Sequence, residues 1–214
     1  MEKDSFLDTN IILHYSNYTD FSSKLLKRCY LFVQNKKSNF ILCWAVIIEL
    51  ENVIKKRARV HKAVIEKIKD SSYPFDNNSF LSFGDIPDAK KLYERFKNKP
   101  LNEVKNIFDS QRYSSEIKIE KFMNSQVDQK VIPSNKINLD LANELHRDIE
   151  NYSDCKILAS ALEFQQERDI FLFVTADGRD FNPNTYKVIK EQFEINNSNR
   201  RYKFPELLNL FYTD

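Results

Sequence analysis

Glycine is almost absent: the 214-residue chain has two. A phosphate-cradling loop of the Walker or dinucleotide type needs several glycines at fixed spacing, so enzymes built on such loops are excluded. Cysteine is scarce and scattered. Cys29, Cys43 and Cys155 have no metal-ligand spacing, which predicts buried thiols in a reducing compartment rather than disulfides or a zinc site. His14, His61 and His146 are equally dispersed, so neither a zinc motif nor a histidine acid–base pair is foreseen. No apolar run approaches the ~18 residues of a membrane span, and no N-terminal signal pattern is read. The expectation is a cytoplasmic protein with no membrane partner.

A large charge of one sign is also missing. The formal net charge is +2, too small to mark a nucleic-acid binder, so any such surface must be a local patch. What the chain does have is apolar and aromatic mass: 42% hydrophobic residues, 17 Phe and 10 Tyr, enough for an ordered core. The length suits one domain, or one domain with a large insertion.

Ser5-Phe6-Leu7 reads as a short strand running into Asp8. Leu25, Leu26, Cys29, Tyr30 and Val33 have helical spacing, and Phe40-Ile41-Leu42-Cys43 reads as a buried strand. A long helical pattern from Trp44 to about Asp70 carries Val46, Leu50, Val53, Ile54, Ile65 and Ile68 on one side. Residues 71–85 look extended. Helices at 88–99, from Leu101 to about Lys130, and at 139–152 follow with no strand between them, which suggests a helical insertion at about 71–150. Ser153 is the expected cap of the next helix, and Ile170 to Val174 is a buried strand ending in Thr175-Ala176-Asp177. A helix over Asn184–Phe193, a polar turn over 196–201, a strand at Tyr202-Lys203-Phe204 and a last helix opened by Pro205 complete the reading. The fold class is therefore α/β: a central, mainly parallel sheet flanked by helices. Such sheets bind ligands beyond the carboxyl ends of their strands.

Acidic residues stand at those boundaries. Asp8, Glu49, Asp154 and Asp177 lie on four different elements that a parallel sheet can gather into one cleft. Two carboxylates about 4 Å apart repel by roughly 4 kcal/mol at an effective dielectric near 20. A fold keeps such a cluster only with protons or a hard divalent cation, and Mg²⁺ takes a few carboxylates plus waters and substrate phosphate oxygens. Mg²⁺ or Mn²⁺ and phosphoryl chemistry are the expectation. Asp154 precedes Leu158 and Ala161 by four and seven positions and so projects on the buried side of its helix. Glu49 and Glu51 border opposite edges of their helix's apolar stripe, and periodicity does not choose between them. Each acid also has an ordinary explanation, as a helix N-terminal acid, a turn residue or a surface partner of lysine.

Other residues fit around the acids. Asn10 and Thr175 can orient a carboxylate or water through amide and hydroxyl. The run Lys55 to Lys62 is the densest basic stretch; Lys56 and Arg57, with Arg179 and the pair Arg200-Arg201, are candidates for phosphate contact.

The segments Phe6-Leu7-Asp8-Thr9-Asn10, Ile48-Glu49-Leu50, Asp154 through Ala161-Leu162, and Val174-Thr175-Ala176-Asp177 resemble, in this order, those of the PIN domain, a nuclease fold of bacterial toxin ribonucleases and RNA-processing enzymes. The helical middle has no counterpart in a compact member. The resemblance implies metal-dependent hydrolysis of phosphodiesters in single-stranded or structured RNA. It makes Asp8, Glu49, Asp154 and Asp177 the catalytic and metal-binding set, and it selects Glu49 over Glu51. Asp180-Phe181 resembles the acid–Phe pair that follows the last acid, with one more residue intervening. Two alternatives stay open: a PIN-like DNA or flap nuclease, since only 2′-hydroxyl contacts separate the substrates, and a catalytically silent RNA-binding module. An antitoxin or other protein partner and a homo-oligomer are likewise open. A haloacid-dehalogenase phosphatase is disfavoured because its second Asp falls at Asn10.

Overall fold

A computed structural model describes residues 4–19, 22–35, 39–76, 79–125, 127, 131–167, 170–196 and 202–213. In chain order the elements are β1 (Asp4–Leu7), α1 (Thr9–Asn17), α2 (Lys24–Asn35), β2 (Phe40–Cys43), α3 (Trp44–Lys69), α4 (Ile86–Phe96), α5 (Leu101–Ser125), β3 (Val131–Ile132), α6 (Leu139–Leu145), α7 (Tyr152–Glu167), β4 (Ile170–Thr175), α8 (Pro183–Asn196) and β5 (Glu206–Asn209), with 3₁₀ turns at Phe83–Asp85 and Ser134–Lys136.

The strands form one sheet in the order β3-β2-β1-β4-β5, and every pairing is parallel. Central strands of a parallel sheet are covered on both faces and therefore read as continuous apolar runs. All four residues of β2 are buried, as are Phe6 and Leu7 of β1 and Phe173 and Val174 of β4. Ile11, Ile12, Cys29, Val33, Ile157, Leu158, Ala161 and Leu162 supply buried helix faces. Each fully buried Phe or Leu side chain is worth about 1.5–3 kcal/mol by removal from water. The three cysteines are free and buried. Among the described residues, no helix is long and apolar enough to cross a membrane.

Five sequence expectations are corrected. Helix α1 starts immediately after Asp8, where no helix was foreseen: Asp8 accepts the Thr9 N–H at 2.6 Å and caps it. The short strand β3 pairs with β2 and interrupts the segment expected to lack strands. Asn151, rather than Ser153, caps α7, its side chain accepting the Ser153 N–H at 3.0 Å. Pro205 leads into β5 rather than a helix, and residues 202–204 form no strand. The proline φ suits either a first helical turn or strand entry; pairing of Leu207 with Phe173 and Leu208 with Val174 decides the matter. The expected helix end near Lys130 and residues 197–201 of the expected polar turn, Arg200 and Arg201 among them, lie outside the described residues.

The chain divides into two compact units, one of Met1–Glu49 and Ile117–Asp214, the other of Leu50–Glu116. The first contains the sheet. The second has its own core of Val60, Ala63, Val64, Phe75, Leu81, Ala89, Phe96, Val104 and Phe108. In it the exposed run of charge is paired: Lys56 meets Asp88 at 2.6 Å, Lys55 meets Glu51 at 3.2 Å, and Arg59 reaches the buried Asp85 at 3.0 Å.

Candidate metal centre

The carboxyl ends of β1 and β4 lie side by side, with Leu7 opposite Val174. Asp8 follows the first and Thr175 ends the second, so residues 167 positions apart meet. Thr175 donates its hydroxyl hydrogen to Asp8 Oδ2 at 2.7 Å and accepts the N–H of Asp177 at 3.0 Å and the Asn10 amide at 3.3 Å. A hydroxyl has one donor and two acceptor positions, so all three are used. Asn10 works in both directions: Nδ2 donates to Asp8 Oδ2 at 2.7 Å and Oδ1 accepts the Ala176 N–H at 2.8 Å. Asp8 is thus 2% exposed and held by three donors.

Glu49, half-buried in the second turn of α3, accepts the hydroxyl of Thr9. Asp154 lies in the first turn of α7 and is 9% exposed. Among the described residues no hydrogen bond reaches its carboxylate, and the charges that act on it most strongly are those of four acids, Asp8, Glu49, Asp177 and Asp180. Asp177 is fixed by its own turn, accepting the N–H groups of Arg179 and Asp180, each at 2.9 Å. Asp180 accepts the Asn151 N–H at 3.2 Å, tying the turn to the start of α7.

Two acidic groups result. One ligand oxygen from each of Asp8, Glu49 and Asp154 lies within 4.8 Å of the others, and the same holds for Asp154, Asp177 and Asp180. Asp154 belongs to both. The electrostatics follow from this crowding. Burial first, then the charges of Glu49 and Asp177, raise the Asp8 carboxyl from 3.8 to about 7 against the lowering effect of its Thr175 and Thr9 hydrogen bonds. Burial first, then its four acidic neighbours, raise Asp154 to about 9. Such an arrangement calls for protons or a cation. The donors are hard carboxylate oxygens without a histidine or cysteine among them, a set that fits Mg²⁺ or Mn²⁺ better than softer metals.

Except for Arg200 and Arg201, each expected residue has a definite position. Asp8, Glu49, Asp154 and Asp177 come together, with Asn10 and Thr175 bracing Asp8 and Asp180 joining the second group. Glu51, two positions after Glu49, is exposed and paired with Lys55. Lys56 and Arg57 belong to the Leu50–Glu116 unit, where Lys56 is paired with Asp88 and burial lowers the half-buried Arg57 guanidinium. Arg179 is exposed, its backbone serving Asp177.

Sequence reasoning missed Thr9 as the partner of Glu49, although its place beside Asp8 was visible. It also missed Asn209, whose buried amide donates to the carbonyls of Asp177 at 2.6 Å and Phe181 at 2.7 Å. Nothing in the sequence points from Asn209 to that turn. Compared with known proteins, the chain matches no family model, no curated protein and no solved structure.

Proposed function

We propose that the protein is a PIN-like, metal-dependent nuclease that hydrolyses phosphodiester bonds in RNA. The observation that carries this reading is Asp154: a buried carboxylate with no hydrogen-bond donor among the described residues, shared by two acidic groups at the carboxyl end of a parallel sheet. Asp8, Glu49 and Asp154 would hold one Mg²⁺ or Mn²⁺, and Asp177 and Asp180 would complete the shell or hold a second. When bound, the ion supplies charge neutralisation at phosphate and activation of water.

The chain's own residues supply geometry. Thr9, Asn10 and Thr175 fix the carboxylates of Glu49 and Asp8 before substrate arrives, which reduces the reorganisation needed at reaction. The Arg179 and Asp180 amides do the same for Asp177. RNA as the substrate rests on the resemblance to PIN domains.

The test is cleavage of end-labelled RNA and a matched DNA with Mn²⁺, with Mg²⁺ and in excess EDTA, by wild type, Asp8→Asn and Asp154→Asn. Metal-dependent RNA cleavage lost in both folded variants supports the reading. Preferential DNA cleavage moves it to the DNA nuclease class, and folded, metal-binding protein without cleavage moves it to a silent binding module.

A further inference from the structure

Phe211 and Tyr212 follow β5, and each is 50% exposed. Exposed apolar residues standing singly need no explanation. These two are neighbours, with ring centroids 5.1 Å apart at 70°, and both are fastened to the turn that carries Asp177 and Asp180. A methyl group placed on Gly178 would meet Phe211 Cε1 at 3.0 Å, Cζ at 3.1 Å and Cδ1 at 3.2 Å. Three successive ring atoms so nearly equidistant put Gly178 over the face of the ring, since an approach in the ring plane would leave at least one of them much farther away. The close approach requires glycine, and the Cα of Asp177, the preceding residue, is about 3.8 Å from that of Gly178. Tyr212 donates its hydroxyl hydrogen to Gly178 O at 2.7 Å, and the Phe211 N–H donates to Asn209 Oδ1 at 2.9 Å. Asn209 Nδ2 donates to the carbonyls of Asp177 and Phe181, so one side chain fixes the ring pair and the acidic turn to each other.

We propose that Phe211 and Tyr212 form the stacking platform for an unpaired nucleobase of the strand whose phosphate enters the acidic centre, which makes the substrate single-stranded; the kind of ligand rests on the nuclease reading above. A ligand for this place must set an anionic group at the metal centre and a flat apolar surface immediately beside it. A nucleotide has both. Stacking on aromatic rings tolerates any base and draws on its π-face rather than on charge, which suits a chain of net charge +2 with an acidic centre. Within a duplex the faces of each base are covered by its neighbours, so a base must be unstacked before it can lie on a protein ring.

The experiment titrates the full chain into short fluorescein-labelled RNA: a single strand, the same strand with abasic residues, and its duplex. Anisotropy is read for the native chain in EDTA and for Asp8→Asn in Mn²⁺, conditions that leave the strand intact, and melting curves confirm that each variant is folded. Expected are tighter binding of the single strand than of the duplex and a loss of roughly fivefold or more in Phe211→Leu. Leucine keeps an apolar contact with Gly178 but offers no ring. Phe211→Tyr should restore the affinity, and the abasic strand should bind native and Phe211→Leu chains equally, a result that a purely structural role for Phe211 would not produce. Unchanged affinity in Phe211→Leu, equal binding of the duplex, or no binding of any strand overturns the proposal. Self-association lost in Phe211→Leu, without strand binding, overturns it in favour of a protein contact through the same rings. Cleavage by the native chain is measured in parallel: cleavage with unchanged Phe211→Leu affinity sinks the platform alone, and ring-dependent binding without cleavage sinks the nuclease reading alone.

Discussion

Asn10 Oδ1 accepts the backbone N–H of Ala176 at 2.8 Å. One amide side chain thereby joins the ends of β1 and β4 while its nitrogen holds Asp8. The acidic centre is braced before it binds anything.

Metal addition should raise thermal stability, because only the folded chain presents the gathered carboxylates. At a free metal concentration of 100 times Kd, the gain is about 2.7 kcal/mol. Asp154→Asn should remove most of it, since Asp154 serves both groups. Melting curves with and without Mn²⁺ measure the difference, and equal shifts for both proteins would contradict a shared centre.

The metal-free protein should lose stability as pH rises. Asp8 and Asp154 have folded values of about 7 and about 9 against an ordinary 3.8. The native state therefore binds more protons than the unfolded chain between those values, and stability falls with pH across that window. It is fully present below about 4 and spent above about 9. Urea titrations at a series of pH values in EDTA should show this slope, and Asp154→Asn should flatten its upper part.

Glu49→Gln should abolish most cleavage, whereas Glu51→Gln should stay near wild type. Glu49 joins Asp8 and Asp154, while Glu51 is exposed and paired with Lys55. Matched kinetics on folded variants give the ranking; the reverse order would place the wrong edge of α3 in the centre.

Cleavage should leave a 5′-phosphate and a 3′-hydroxyl, since neither acidic group contains a histidine to drive attack by the RNA 2′-hydroxyl. Mass spectrometry of the product ends distinguishes the routes. Cyclic phosphates formed equally well in EDTA would falsify the hydrolytic reading.

Asn209→Ala should cost about 1 kcal/mol for each of the two carbonyl hydrogen bonds it removes from the Asp177 turn. Activity should fall further than this stability loss explains at a temperature where the variant is fully folded. A variant with a lowered Tm and unchanged kcat would show that the clamp supports only the fold.

Much of this was written locally in the chain. The apolar runs at Phe40–Cys43 and Ile170–Val174, the helical stripe of α3 and the acids at element ends depend on spacing alone, so the α/β class and the four carboxylates could be read without a structure. Glu49 over Glu51 was legible only through resemblance. The remainder depended on partners distant in sequence. Four residues after Pro205 became a strand because β4 offered unpaired backbone, and Asn209 reached the Asp177 turn only through that pairing. Thr9 found Glu49 because α1 and α3 start where adjacent parallel strands end. Backbone and side-chain hydrogen bonds across the sheet carry no periodic signal along the chain, so sequence determined which groups were available and tertiary structure decided which of them meet.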